Sequence, residues 1–113
     1  MDNKRKSLSY SYMGGGTILP RVTILQRATQ YVWLRHKKSP ENLTSVERRV
    51  YEYVLFEHFE FRLCEIEHWC GTRAGTVKRE VDQVRFLLDR VKWMKERSES
   101  FYKYIKYISV TIC

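Results

Sequence analysis

The segment from Leu63 to Val81 constrains the fold of this chain more than any other. Its two halves, LCEIEHWC and RAGTVKREV, each carry apolar residues at helical spacing, and Gly71 lies at the break between them. The segment predicts a helix over residues 63–70, a tight turn, and a second helix over residues 73–90. The buried stripe of the second helix is predicted to consist of Val77, Val81, Val84 and Leu88.

Two helices joined by a short turn that contains Gly form the helix-turn-helix unit that reads DNA. The segment resembles the helix-turn-helix of winged-helix DNA-binding proteins. The matching parts are Ile66, Gly71, the run Gly75-Thr76-Val77-Lys78-Arg79, Val81 and Val84. Two positions depart from the family's usual pattern, since Glu67 stands in place of a small residue and Thr72 in place of an apolar one.

The residues after Arg90 predict a β-hairpin over residues 91–110. Two runs rich in β-branched and aromatic residues, 91–95 and 101–110, flank the polar stretch 96–100. A hairpin directly after a helix-turn-helix would be the wing of the family that the segment resembles.

Upstream of the helix-turn-helix, the sequence predicts the remaining parts of a winged domain. Thr44 followed by Glu47 is a capping pattern for a helix that ends near His58. Glu60 and Phe61 would supply the short strand that winged folds place next. The predicted fold class is therefore α+β, mostly α: a winged helix-turn-helix with an extra N-terminal helix and a C-terminal β-hairpin wing.

The chain divides into three predicted segments. Residues 1–16 form a basic arm that contains a short strand signal and the run Gly14-Gly15-Gly16. Residues 17–40 hold an additional helix, predicted from Arg21 to Lys38 after Pro20. Residues 41–113 form the winged DNA-binding domain. The additional helix has two possible uses that the sequence leaves open, a dimer seam or a cover for the core of its own domain.

The distribution of charge favours a polyanionic partner. The chain carries a formal net charge of +8. Residues 1–40 carry +7 and residues 72–113 carry +5, whereas residues 41–71 carry −4. The basic blocks cover the arm, the second helix of the helix-turn-helix and the predicted wing, so phosphate contact with release of counterions is expected there.

The resemblance implies which side chains contact DNA. With the valine stripe buried, Arg73, Lys78 and Arg79 are the predicted main contacts of the reading helix 73–90, and Thr76 lies beside them. Arg suits a guanine edge, Thr a thymine methyl or a phosphate, and Lys a phosphate. On the wing, Lys95, Arg97 and Lys103 are predicted to contact the DNA backbone, which positions a protein without specifying sequence.

Other chemistries receive little support. Cys64, His68 and Cys70 could be considered as metal ligands, but Cys70 lies on a different helix face and no second pair has zinc-like spacing. Buried structural cysteines are the preferred interpretation. No nucleophile–base pair, paired catalytic carboxylates or phosphate-binding glycine loop occurs, so no enzyme, metal or cofactor is predicted.

Cellular location follows from similar exclusions. No run of eighteen apolar residues and no signal peptide pattern are found, and the three cysteines are an odd number. A cytoplasmic protein without membrane association is expected. Only two Asn and three Gln occur, a bias typical of heat-adapted proteins. By analogy, the chain is similar to small regulators encoded by viruses or plasmids of thermophilic archaea, for which the host cytoplasm would be the location.

The sequence thus predicts a protein that binds double-stranded DNA sequence-specifically, a transcription regulator acting as a homodimer. Two alternatives remain open. One is a winged-helix module that binds another protein, and the other is a replication or DNA-architectural protein.

Overall fold

Five α-helices and one two-stranded ribbon make up the part of the chain that the structure, a computed structural model, describes, namely residues 10–13 and 17–107. The elements are β1 (Tyr10–Met13), β2 (Thr17–Pro20), α1 (Arg21–His36), a 3₁₀ turn (Pro40–Asn42), α2 (Ser45–Glu57), α3 (Leu63–Cys70), α4 (Thr76–Leu87) and α5 (Lys92–Tyr107). The strands pair antiparallel, with Tyr10 opposite Pro20 and Met13 opposite Thr17. The predicted arm lies mostly outside the described residues.

Helix α1 packs on the core of its own chain. It begins directly after Pro20 and ends where Lys37 adopts a left-handed conformation with φ 58°. Its buried residues are Ile24, Ala28, Tyr31 and Val32. Val22 and Leu34 of the same helix remain exposed. Covering the core is thus one use of this helix.

Helix α2 lies at the centre of the molecule. It begins with the predicted capping box: Thr44 Oγ1 accepts the Glu47 N–H at 3.2 Å, and Glu47 Oε1 accepts the Thr44 N–H at 2.9 Å. All six residues from Val50 to Leu55 are buried, because α3, α4 and α5 pack around this helix. The predicted helix ending near His58 is confirmed.

The predicted wing is wrong, because residues 92–107 form helix α5. The buried residues of this segment, Met94, Ser98, Phe101 and Ile105, recur at helical spacing, and the polar stretch 96–100 belongs to one continuous helix. The helical spacing of these four buried residues outweighed the strand preference of the aromatic and β-branched residues in the segment. Residues 108–110 of the predicted hairpin lie outside the described part. The α+β winged fold is therefore replaced by a helical fold with an N-terminal ribbon.

The short strand predicted at Glu60 and Phe61 is also wrong. Glu60 has φ 59°, a left-handed conformation that a β-strand does not accommodate. Its neighbour Phe61 is buried and donates its N–H to the Leu55 carbonyl at 3.0 Å. This contact folds the connection back onto α2.

Helices α1 and α5 are joined by aromatic and polar contacts. Tyr31 of α1 meets Phe101 of α5 with ring centroids 5.3 Å apart, and Tyr51 of α2 meets the same ring at 4.6 Å. Arg27 Nη1 donates to the Ile105 carbonyl at 2.6 Å, and Tyr31 Oη lies 2.9 Å from Ser100 Oγ. The additional helix is therefore integral to the core.

Gly71 shapes the turn between α3 and α4. It adopts φ 67°, and a Cβ at this position would lie 3.1 Å from Glu41 Cβ in the 3₁₀ turn. Both the backbone conformation and the close approach favour glycine. The predicted helix over residues 63–70 is confirmed. Helix α4 is shorter than the predicted 73–90, because residues 73–75 belong to the turn and the helix ends at Leu87.

Candidate nucleic-acid interface

A polar cleft of about 520 Å³ opens between the start of α2, the α3–α4 turn and one side of α4. Its lining includes four arginines, one glutamate and four polar or amide side chains: Ser45, Arg48, Arg49, Thr72, Arg73, Thr76, Arg79, Glu80 and Gln83. Hydrogen-bond donors dominate this set, and a concave surface of this kind suits an anionic partner.

Two of the arginines in the cleft carry uncompensated charge. Arg73 and Arg79 are exposed, and neither forms an ion pair or a side-chain hydrogen bond with any described residue. Most other cations of the described chain are held by a carboxylate, a carbonyl or an aromatic ring. These two guanidinium groups are therefore available for a ligand.

Helix α4 presents three different stripes along its length. Val77, Val81 and Val84 are buried against the core, as predicted, whereas Leu88, the fourth residue of the predicted stripe, is half-buried. Thr76, Arg79 and Gln83, spaced three and four residues apart, line the cleft. The third stripe carries the ion pairs of Lys78, Asp82 and Arg85.

The ion-paired stripe holds one of the predicted DNA contacts. Lys78 Nζ lies 3.1 Å from Asp82 Oδ2, and Asp82 Oδ1 lies 3.1 Å from Arg85 Nη1. Arg85 Nη2 also lies 2.7 Å from Glu57 Oε1 of α2. Since these charges largely cancel, Lys78 is a weaker attractor of phosphate than Arg73 or Arg79.

The cleft brings together Arg73, Thr76 and Arg79 among the predicted contacts. The other predicted contacts lie outside its lining: Lys78 on the ion-paired stripe, and Lys95, Arg97 and Lys103 on α5. Lys95, Arg97 and Lys103 were predicted to lie on a wing, and this prediction is wrong because residues 92–107 form helix α5.

Arg97 in particular serves the interior. Its Nη1 donates to Tyr51 Oη at 3.4 Å, and its guanidinium lies 5.5 Å from the centroid of the Trp93 ring. It is only partly exposed. A structural role accounts for this side chain, whereas Lys95 and Lys103 are exposed on α5.

The sequence did not single out Ser45, Arg49 or Gln83 as members of the site. Gln83 could have been found from the helical period, because it follows Arg79 by four residues on the same face of α4. Ser45 and Arg49 reach the cleft only because α2 packs against α4, and no local pattern indicates that contact.

Glu67 accepts a hydrogen bond at the start of α4. Its Oε2 accepts the N–H of Gly75 at 2.9 Å, and the Thr72 N–H donates to the Glu67 carbonyl at 3.0 Å. The carboxylate thus points toward the turn and lies close to the positive end of the α4 dipole. This contact explains how a large residue is tolerated at this position.

A buried polar cluster supports the cleft from below. Arg48 donates to both carboxylate oxygens of Glu80, at 3.1 Å and 3.0 Å, and its Nε also lies 3.2 Å from Glu52 Oε2. Burial, followed by a hydrogen bond with Glu80 and its negative charge, raises the pKa of Glu52 to about 9. Glu52 is therefore protonated at neutral pH, and one carboxylate balances one guanidinium.

Cys70 belongs to the same cluster. Its sulfur lies 3.3 Å from Glu52 Oε2 and 3.1 Å from the Ile66 carbonyl oxygen. Burial, followed by the negative charge that Glu52 carries once it has ionised, raises the pKa of this thiol to about 12. The prediction of a buried cysteine is confirmed for Cys70 and wrong for Cys64, which is exposed. Within residues 10–13 and 17–107, no three His, Cys, Asp or Glu side chains are grouped to hold a metal ion.

No helix among the described residues has the length and apolar character needed to cross a membrane.

Comparisons with family models, with curated proteins and with solved structures give no match for this chain.

Proposed function

We propose that this protein binds double-stranded DNA through α4 and the cleft beside it, and that it acts as a sequence-specific regulator of transcription. The observation that carries the proposal is the convergence of Arg49, Arg73 and Arg79 on one cleft, two of them without any partner among the described residues. Arginine is the side chain best suited to phosphate and to guanine edges.

The helix itself supports the proposal. An α-helix with its side chains is about 10–12 Å across and fits the major groove, which is about 12 Å wide. Val77, Val81 and Val84 anchor α4 to the core, so its polar side is presented on a fixed support. In this arrangement Arg79 and Thr76 contact the groove or its rim, while Arg73 of the turn contacts a phosphate.

A salt titration tests the electrostatic part of the proposal. The full-length protein is titrated into a fluorescently labelled duplex of random sequence, and binding is followed by anisotropy. If about six phosphates are neutralised, the affinity should fall by roughly three orders of magnitude between about 50 and about 200 mM salt. An affinity that stays flat over this range contradicts the proposal.

Two double variants locate the binding surface. Arg73→Ala with Arg79→Ala removes the two free guanidinium groups of the cleft and should lower the salt slope by about two. Lys95→Ala with Lys103→Ala removes two exposed charges of α5 and is the matched control. Equal losses in both variants would mean that net charge, and not the cleft, determines binding.

The proposal includes association of two copies through α1. Val22 and Trp33 lie on one side of this helix and remain 63% and 54% exposed after the opposite side has packed on the core. A symmetric pair would present two α4 helices to two half-sites of the same duplex.

A further inference from the structure

We infer that Gln83 reads an adenine in the major groove and that Arg49 holds its amide in the reading orientation. This inference rests on the proposed DNA-binding function and names a base that the interface would recognise. It starts from a hydrogen bond that joins exposed parts of α2 and α4 inside the cleft, from Arg49 Nη1 to Gln83 Oε1 at 2.6 Å.

This hydrogen bond determines which end of the amide faces outward. A guanidinium group has only donors, so the oxygen of the Gln83 amide must face Arg49. The amide nitrogen is then directed away from Arg49, and the second lone pair of Oε1 stays available. An isolated glutamine on a helix surface has no such preference.

Arg49 is itself fixed. Its Nε donates to the Ser45 carbonyl at 3.0 Å, and its Nη2 lies 3.3 Å from Ser45 Oγ. Arg49 forms no ion pair with any described carboxylate. The guanidinium is therefore held at the start of α2 by neutral acceptors, and less side-chain entropy is lost when Gln83 meets a ligand.

The exposed groups of Gln83 match adenine. In the major groove adenine presents the N7 acceptor beside the N6 amino donor. The Gln83 nitrogen donates to N7, and Oε1 accepts from N6 through its second lone pair. Guanine presents two acceptors, N7 and O6, so the amide nitrogen could still donate to N7, but the amide oxygen would face the O6 acceptor and its hydrogen bond would be lost.

The position of Gln83 among its neighbours on α4 suits it to contact a base. It lies one turn beyond Arg79 on the cleft stripe and is exposed. The adjacent stripe is occupied by the ion pair of Lys78 and Asp82. Adenine recognition by Gln83 would thus adjoin an arginine contact from the same face of the helix.

The test is selection of bound duplexes from a random library by the full-length wild type and by Gln83→Ala. We expect the wild type to enrich a motif with one A·T position that Gln83→Ala no longer distinguishes. Discrimination between A·T and G·C at that position should fall by about fivefold to about a hundredfold. Preferences at other positions and the salt slope should remain, because Gln83 carries no charge.

Arg49→Lys is the positioning test. It keeps the positive charge but loses the planar group that is bonded to both Ser45 and Gln83. Selectivity at the adenine position should weaken while the salt slope stays close to that of the wild type. Unchanged selectivity in Arg49→Lys overturns the positioning role of Arg49.

The remaining outcomes separate this inference from the proposed function. If the wild type binds duplexes with strong salt dependence but selects no adenine, or if Gln83→Ala keeps the same motif, adenine recognition is overturned and DNA binding stands. If the wild type binds no duplex DNA, both are overturned. Thermal unfolding of Gln83→Ala should match that of the wild type, since the side chain is exposed.

Discussion

The sulfur of Cys70 lies 3.3 Å from Oε2 of Glu52, and both side chains are buried beneath the cleft. Arg48 connects this pair to Glu80, and Arg48 and Glu80 also line the cleft floor. The cluster joins α2, α3 and α4 at one point. Its protonation state therefore affects how firmly α4 is held.

The stability of the fold should depend on pH through Glu52. Its pKa rises from 4.5 to about 9 on folding, so the folded chain holds a proton that the unfolded chain releases above about pH 4.5. The stabilisation is fully present below pH 4.5 and is lost as pH rises toward about 9. Glu52→Gln stays neutral, so its free energy of unfolding should rise relative to wild type by up to about 1.4 kcal/mol per pH unit.

Urea unfolding of both proteins between about pH 5 and about pH 9 measures this difference. Arg48 and Glu80 are present in both, so their contributions largely cancel in the comparison. A difference that is constant across the range would mean that Glu52 is charged in the folded protein.

Truncation of α4 should separate its buried stripe from its cleft stripe. Val81→Ala removes two methyl groups from a site that is 1% exposed and should lower the free energy of unfolding by about 1–3 kcal/mol. Arg79→Ala, two residues away on the exposed side, should change it by no more than about 0.5 kcal/mol. Denaturant unfolding measures both, and the reverse order would contradict the register of α4.

We expect the turn between α3 and α4 to tolerate alanine at Gly75 better than at Gly71. Gly71 and Gly75 both have positive φ, so each replacement costs about 1–2 kcal/mol of backbone strain. At Gly71 the new Cβ also lies 3.1 Å from Glu41 Cβ, whereas at Gly75 nothing lies within 4 Å. Gly71→Ala should therefore unfold at a lower temperature than Gly75→Ala. Equal melting temperatures would show that the 3₁₀ turn moves away without cost.

Local sequence patterns correctly predicted those helix ends that carry a strong capping or glycine signal. The capping pattern at Thr44 and the glycine at residue 71 mark helix ends that depend on neighbouring residues alone, and both were found. The prediction of a wing was wrong because the strand preferences of residues span only about 1 kcal/mol and are outweighed by the burial of side chains. Met94, Phe101 and Ile105 bury their side chains at helical spacing, which outweighs that preference.

The cleft was only partly predictable for a different reason. Arg73, Thr76 and Arg79 are close in sequence, and Thr76 and Arg79 follow from the period of one helix. Arg49 and Gln83 are 34 residues apart and meet because α2 packs on α4. That contact depends on the whole core, which no single segment specifies.

Truncation of one aromatic side chain of α5 distinguishes the helix from the predicted wing. Phe101 is fully buried and contacts the rings of Tyr31 and Tyr51. Phe101→Ala should lower the free energy of unfolding by about 3–5 kcal/mol. Lys103→Ala, on the exposed side of the same helix, should change it by no more than about 0.5 kcal/mol. A small effect of Phe101→Ala would contradict the packing of α5.

Association through α1 has to be tested on the full-length chain. A chain that starts at Glu41 lacks Ile24, Tyr31 and Val32, which belong to the core, and it should not fold. We therefore expect light scattering at micromolar concentration to give a dimer for the wild type and a monomer for the double variant Val22→Ser with Trp33→Ser. Both side chains are more than half exposed in a single copy, so their replacement should leave the fold intact.

Val46→Ser is the matched control for this experiment. Val46 is 53% exposed at the start of α2, a different helix from the one that carries Val22 and Trp33, and its replacement should leave the dimer unchanged. A wild type that is monomeric at this concentration refutes the association. If Val46→Ser dissociates the dimer while the α1 variant does not, the two copies meet through the start of α2 and not through α1.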